Sequence, residues 1–187
     1  YTSLELSATM TIPLNEGWAG FGVGRSVWSG SVWADGYYLL TMYNAVSEKA
    51  ELRLYNPTYG YVGQADVDYV LGTPVTFRME VTGRDFAIYM GDSTTPVIRT
   101  TVPVYEGGFV TLCNYATENV FDSFSVKGIE DPLAWDEPFA DDFTQNPGNW
   151  INASEGLGSF TVADGKLTVT GTIDSNPQQV ALKNRAY

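Results

Sequence analysis

The sequence predicts an all-β fold, an antiparallel β-sandwich. Apolar and polar residues alternate along most of the chain, as they do in strands with one buried face. Gly, Pro, Asn and Asp interrupt this alternation roughly every 8 to 12 residues, which is the spacing of turns in a sandwich. No long stretch places apolar residues at the i, i+3, i+4 spacing of an amphipathic helix. We therefore expect strands throughout.

The predicted strands follow one another from the beginning of the chain. YTSLELSATM alternates as a half-buried strand does. A polar segment separates GYYLLTMY (36–43) from ELRLYN (51–56), and the turn GRD separates VTFRMEVT (75–82) from FAIYM (86–90). Each of these pairs predicts a β-hairpin. Further strands are predicted in VIRTTVPV, GFVTLC and FDSFSV.

The pattern changes after residue 127. Residues 128–138, GIEDPLAWDEP, are acidic, contain proline and do not alternate, which predicts a linker. Residues 139–187 return to strand patterns, with ADGK predicted as a hairpin turn. A tail of this size is too small for a two-layer core of its own. We expect it to complete a sandwich whose main body is residues 1–127.

The composition indicates a globular, acidic protein. Its 187 residues are 44% hydrophobic, enough to bury a core. The net charge is −12, from 22 acidic and 10 basic residues, and a surface of that sign repels nucleic-acid phosphates and anionic membranes. No apolar run approaches the roughly 18 residues of a membrane-spanning helix. We therefore expect no nucleic acid among the partners and no insertion into a membrane.

The residue types used in most catalysis are missing. The chain contains no histidine, which removes the usual general base and the commonest transition-metal ligand. No strand carries the E-x-D-x-E type of paired carboxylates found in jelly-roll glycosidases. The single Cys113 cannot form an internal disulfide, and its place in the alternating FVTLC segment indicates a buried thiol. We expect a protein that is not an enzyme.

Three stretches of residues 1–127 resemble a known family. They are AGFGVGRS…DGYYLLTMY…AELRLYN, TFRMEVTGRDFAIYMGDSTTPVI and EGGFVTLCNYATENVFDSFSV. In this order they resemble concanavalin-A-like or laminin-G-like jelly-roll domains, in particular the carbohydrate-binding modules attached to bacterial levan- and arabinan-hydrolysing enzymes. Thr111 departs from the pattern, since the family usually has a glycine there. The resemblance implies a jelly-roll sandwich and a polysaccharide partner.

The stretch that normally opens such a domain stands near the end of this chain. DDFTQNPGNWINASEGLGSFTVADGKLTVTG, residues 141–171, resembles the opening strands of the family. The resemblance therefore implies one domain cut out of phase. Either the tail folds back onto its own sandwich, or it completes the next copy. In the second case, head-to-tail addition of strands builds a filament or a tandem array.

Aromatic and polar residues concentrate between Trp18 and Tyr38, and YNPTYGYVG is predicted as a second, exposed aromatic turn. Sugar sites combine a flat aromatic ring with polar side chains that bond vicinal hydroxyls, and loops of a rigid sandwich commonly carry such sites. The same residues suit a contact with a neighbouring subunit, so both interpretations stay open. The glycan-binding or interface candidates are Arg25, Trp28, Trp33, Asp35, Tyr37, Tyr59 and Tyr61.

Carboxylates cluster in the segment EDPLAWDEPFADD. They suit calcium, a hard cation that takes about six to eight oxygen ligands. Their spacing is not that of a D-x-D-x-D-G loop, and a solvated acidic linker accounts for the same cluster. The calcium candidates are Asp131, Asp136, Asp141 and Asp142.

From these observations we expect a non-catalytic module, located outside the cell or at its surface. Its expected role is that of a structural repeat or subunit of a fibre or adhesin, with copies of itself as head-to-tail partners joined by strand complementation. The alternative is a carbohydrate-binding, lectin-like module of a secreted glycan-degrading protein.

Overall fold

The structure confirms the all-β antiparallel sandwich. A computed structural model of the chain describes residues 3–14, 17–26, 35–128, 139–144, 148–152, 158–171 and 178–186. Within these ranges there is no helix long and apolar enough to cross a membrane. The strands, in chain order, are β1 (Ser3–Met10), β2 (Trp18–Arg25), β3 (Tyr37–Asn44), β4 (Lys49–Asn56), β5 (Gly60–Asp68), β6 (Val75–Thr82), β7 (Asp85–Met90), β8 (Ile98–Thr101), β9 (Phe109–Tyr115), β10 (Glu118–Gly128), β11 (Phe139–Asp141), β12 (Trp150–Asn152), β13 (Gly158–Ala163), β14 (Lys166–Gly171) and β15 (Gln178–Ala186).

The strands form two sheets. Sheet A has the order β13-β14-β10-β1-β6-β7-β8, and β11 also pairs with β10. Sheet B has the order β12-β15-β9-β2-β3-β4-β5. The chain moves from one sheet to the other after β1, β5, β8, β9, β11, β12 and β14, so that strands distant in sequence become neighbours. This repeated crossing is how a jelly roll closes its two layers over one core.

Strand β1 shows how the alternation produces the core. Leu4, Leu6, Ala8 and Met10 are buried, while the residues between them lie at the outer face of sheet A. Leu6 pairs with Met79 of β6 on one side and with Val126 of β10 on the other. Because side chains alternate between the two faces of a strand, this register directs the apolar residues of all three strands into the same layer.

The tight turns occur at residues that adopt a positive φ. Asp164 and Gly165 join β13 to β14 with φ values of 52° and 73°, as a two-residue type I′ hairpin requires. Gly83, with φ of 58°, begins the turn between β6 and β7. The predicted aromatic turn is shorter than expected, because β5 begins at Gly60 and places Tyr61 in a strand.

Strands from residues 139–186 belong to both sheets of the same chain. In sheet A, β14 pairs with β10, and β11 pairs with the later part of β10. In sheet B, β15 pairs with β9 and β12 with β15. Trp150 is buried, and its ring contacts Phe124, Phe139 and Phe143. The side chain of Trp150 thereby packs β12 onto β10.

Sheet B also buries residues on its outer face, which points away from the main core. Tyr38, Leu40 and Cys113 form this second cluster. Gly22 makes room for it, because a Cβ atom there would lie 2.5 Å from the Tyr38 ring. Burial raises the pKa of the Cys113 thiol, which keeps the thiol protonated and unreactive. Cys113 is thus a packing residue, as its sequence position indicates.

Candidate functional site

A pocket of about 220 Å³ opens at one end of the sandwich. It lies where β2 ends and β3 begins, beside the β4–β5 turn and the segment that precedes β9. Four separate parts of the sequence therefore contribute to it. The lining residues are Gly24, Ser26, Asp35, Gly36, Tyr37, Asn56, Thr58, Tyr59, Val104, Tyr105, Glu106 and Gly107.

Two glycines hold the backbone of this pocket in conformations that other residues rarely adopt. Gly24 and Gly36 have φ values of 79° and 97°. A Cβ atom at Gly36 would lie 2.8 Å from the carbonyl oxygen of Val23, and one at Gly24 would lie 2.8 Å from the Tyr105 ring. The close approach of these segments requires residues without a side chain.

Asp35 connects the end of β2 to the beginning of β3. Both of its carboxylate oxygens lie 3.1 Å from the backbone nitrogen of Ser26, which donates to them. The hydroxyl of Tyr38 donates to the Asp35 carbonyl oxygen at 2.6 Å. These bonds hold both the carboxylate and the backbone of Asp35 in place. The Asp35 side chain is partly exposed and lines the pocket.

Asn56 holds the opposite wall in place. Its side-chain nitrogen donates to the carbonyl oxygen of Gly36 at 2.7 Å. Its side-chain oxygen accepts the backbone N–H groups of Thr58 and Tyr59 at 2.9 and 3.0 Å, which is an Asx turn. The buried side chain of Asn56 thus connects the β4–β5 turn to the start of β3. The Tyr59 ring, in this turn, is 47% exposed and lines the pocket.

Two buried tyrosines form the inner part of the pocket. Tyr37 donates its hydroxyl to the Val104 carbonyl oxygen at 2.7 Å, and its ring centroid lies 6.4 Å from that of Tyr105. Burial raises the pKa of both phenols, so they stay neutral. Asp35 and the exposed Glu106 are the ionisable carboxyl groups at the pocket, and the described lining contains no lysine or arginine. The site is therefore acidic and partly aromatic.

The structure brings three of the sequence candidates together at this pocket, namely Asp35, Tyr37 and Tyr59. Tyr61 lies nearby on the outer face of sheet B, 56% exposed. Trp28 and Trp33 lie outside the described residues. Sequence reasoning missed Ser26, Asn56, Thr58 and Glu106; the Asx-turn signature in NPTYG could have identified Asn56.

Arg25 is not at a binding surface, in contrast to the expectation for that candidate. Its residue exposure is 0%. The register of β2 against β9 shifts between Gly22 and Arg25, and Gly24 at φ 79° turns the chain there. The positive charge of Arg25 lowers the pKa of the Cys113 thiol, an effect smaller than the rise caused by burial. The Arg25 side chain is therefore not accessible to a glycan.

Two of the calcium candidates have structural roles. Asp141 accepts the N–H of Phe143 at 2.8 Å with one oxygen and the indole N–H of Trp150 at 2.8 Å with the other. Asp142 accepts the backbone N–H and the hydroxyl of Thr144, and these bonds lower the pKa of its carboxyl. Asp131 and Asp136 lie outside the described residues. Within the described part of the chain, no cluster of three or more metal-ligating side chains occurs.

Comparison with known proteins gives few matches. No protein-family model and no curated protein sequence matches the chain. Four chains of solved structures match it. One is the carbohydrate-binding module CBM66 from Bacillus subtilis, with 17% sequence identity and a TM-score of 0.45, over 67% of this chain and 71% of that one. The fold assignment rests on the strand pairing of this chain itself.

Proposed function

We propose that this β-sandwich binds carbohydrate and holds one neutral sugar ring in the pocket at its end. The observation that carries the proposal is the combination of an exposed aromatic ring, Tyr59, with carboxylates on Asp35 and Glu106 in one small cavity. Aromatic faces pack against the C–H groups of a sugar, and carboxylates accept strong hydrogen bonds from its hydroxyls. The cavity, about 220 Å³, is smaller than the roughly 300–1,000 Å³ typical of drug-sized ligands, which favours a single ring.

The charge of the site determines the class of sugar. Two carboxyl groups line the pocket, the described lining contains no basic residue, and the whole chain carries a net charge of −12. An anionic sugar such as a uronate would be repelled from this surface. Neutral sugars of the kinds found in levan and arabinan are the first choice of ligand, since the sequence resembles modules attached to enzymes that hydrolyse those polymers.

We propose binding without catalysis, outside the cell. The chain contains no histidine, and Asp35 is engaged with the Ser26 N–H group. The role that we expected first from the sequence, a structural repeat or subunit of a fibre or adhesin, gains no support from the strand pairing. The positions beside β9 and β10 that a donated strand would need are taken by β15 and β14 of the same chain.

Affinity electrophoresis tests the proposal with levan, arabinan and polygalacturonate as probes. We expect levan or arabinan in the gel to slow the protein and polygalacturonate to leave it unaffected. Tyr59→Ala should remove the retardation, whereas the control Leu71→Ala should keep it, because Leu71 is 45% exposed in another turn. Equal mobility in all gels, or retardation by polygalacturonate alone, would contradict the proposal.

A further inference from the structure

A second concave surface lies on the outer face of β4 and β5. Glu51 and Arg53 of β4 stand opposite Asp66 and Gln64 of β5, and their side chains point away from the core because Leu52 and Leu54 between them point into it. A notch of about 360 Å³ runs between these two cross-strand pairs, over the paired residues Leu52 and Ala65. We call this surface the β4–β5 notch.

The side chains of the notch are held in place by their neighbours. Arg53 donates to the Glu51 carboxylate at 2.6 Å and to the Tyr61 hydroxyl at 3.4 Å. The Arg53 guanidinium carbon also lies 5.1 Å from the centre of the Tyr61 ring. Asn44 donates to the other Glu51 oxygen at 2.7 Å. Donors and acceptors are thereby fixed before any ligand arrives, which lowers the entropy cost of binding.

The pocket and the notch share no lining residue, but both border the hairpin of β4 and β5. Asn56 and Tyr59, which line the pocket, belong to the turn that joins β4 to β5. Directly beyond that turn, Tyr55 pairs with Tyr61 on the outer face, with ring centroids 5.4 Å apart. Arg53 and Gln64 form the next pair on the outer face of these two strands. The rings of Tyr55 and Tyr61 therefore lie between the β4–β5 turn and the polar notch.

We propose that the notch binds the further units of the glycan chain whose first ring occupies the pocket. This inference rests on the proposed function. The pocket has room for one ring, so a chain that continues over the β4–β5 turn brings its following units to the notch. Tyr61 offers the aromatic face for the next unit, and Arg53, Gln64 and Glu51 offer bonds to its hydroxyls. The partner is then the end of a neutral polysaccharide chain and not a free monosaccharide.

Calorimetric titration with a chain-length series tests this inference. The probes are fructose and fructo-oligosaccharides of two to six units, and the matching arabinose series. We expect affinity to rise about tenfold between one unit and three. Tyr61→Ala should abolish this rise and leave the affinity for the single unit unchanged, whereas Tyr61→Phe should keep most of it. Tyr59→Ala should weaken binding at every length.

The outcomes separate the two proposals. If single units bind in a manner that depends on Tyr59 but longer chains bind no better, the notch has no role and the pocket remains. The same conclusion follows if Tyr61→Ala keeps the gain with length. If no member of either series binds, the pocket and the notch both fail as glycan sites. A melting curve of each variant excludes loss of folding as the cause.

Discussion

Replacing Trp150 by alanine should lower the free energy of unfolding by about 3–5 kcal/mol. For a domain of this size the melting temperature should then fall by roughly 6 to 20 °C, at about 2–4 °C per kcal/mol. Trp150 is 4% exposed, and its ring lies edge-on to Phe124 with centroids 5.0 Å apart. Alanine would leave a large cavity between β10 and β12. Thermal and urea unfolding followed by circular dichroism measure the change.

Two further variants serve as controls for Trp150→Ala. Trp150→Phe keeps a ring in the site but removes the indole N–H that Asp141 accepts at 2.8 Å, so we expect a smaller loss of about 1–3 kcal/mol. Tyr61→Ala removes an aromatic ring that is 56% exposed and should cost less than about 1 kcal/mol. If Trp150→Ala were no more destabilising than Tyr61→Ala, the packing of β12 against the sandwich would be refuted.

Replacing Asp35 by asparagine should weaken sugar binding about ten- to a hundredfold. Hydrogen bonds to a charged group contribute about 1.5–3 kcal/mol, and each 1.4 kcal/mol is about a factor of ten in affinity. Asparagine keeps an oxygen that can accept the Ser26 N–H group, which Asp35 now accepts at 3.1 Å. The substitution therefore removes charge from the pocket while keeping the local backbone bond. Calorimetric titration with the sugar that binds best measures the effect.

The matched control is Asp68→Asn, which makes the same change of charge at the far end of β5. Asp68 is exposed, and the Lys49 ammonium with which it forms an ion pair lies 3.6 Å away at the surface, so neither binding nor stability should change appreciably. Glu106→Gln, at an exposed position of the pocket, should weaken binding in the same direction as Asp35→Asn. Equal affinities for the Asp35 and Asp68 variants would show that the Asp35 carboxylate does not touch the ligand.

The fold could be predicted because it depends on local patterns. The alternation of Leu4, Leu6 and Met10 sets one face of β1, and the pair Asp164-Gly165 sets a hairpin turn through its backbone preferences. These signals act over a few residues, so they are visible in a single sequence. The two-layer arrangement follows, since strands with one apolar face must bury it against a second layer.

The site could be predicted only in part, because four segments distant in sequence assemble it. Asp35, Tyr37 and Tyr59 stand out by residue type, but Glu106 acquires its place only when the segment before β9 reaches the end of β2. Arg25 shows the opposite case. Its charge suggests exposure, yet the side chain is buried, at a place where the strand register shifts and Gly24 has a positive φ. Neither a long-range crossing nor a bulge can be read from alternation.

The proposed function places a sugar ring in the pocket between Asp35, Tyr59 and Glu106. Amide ¹H–¹⁵N chemical shifts, recorded while the sugar that binds is added, test it most directly. We expect the largest changes at Ser26, Gly36, Thr58 and Gly107, whose backbones border the pocket, and we expect these changes to disappear in Tyr59→Ala. Saturable changes centred on another surface, with these four amides unmoved, would contradict it.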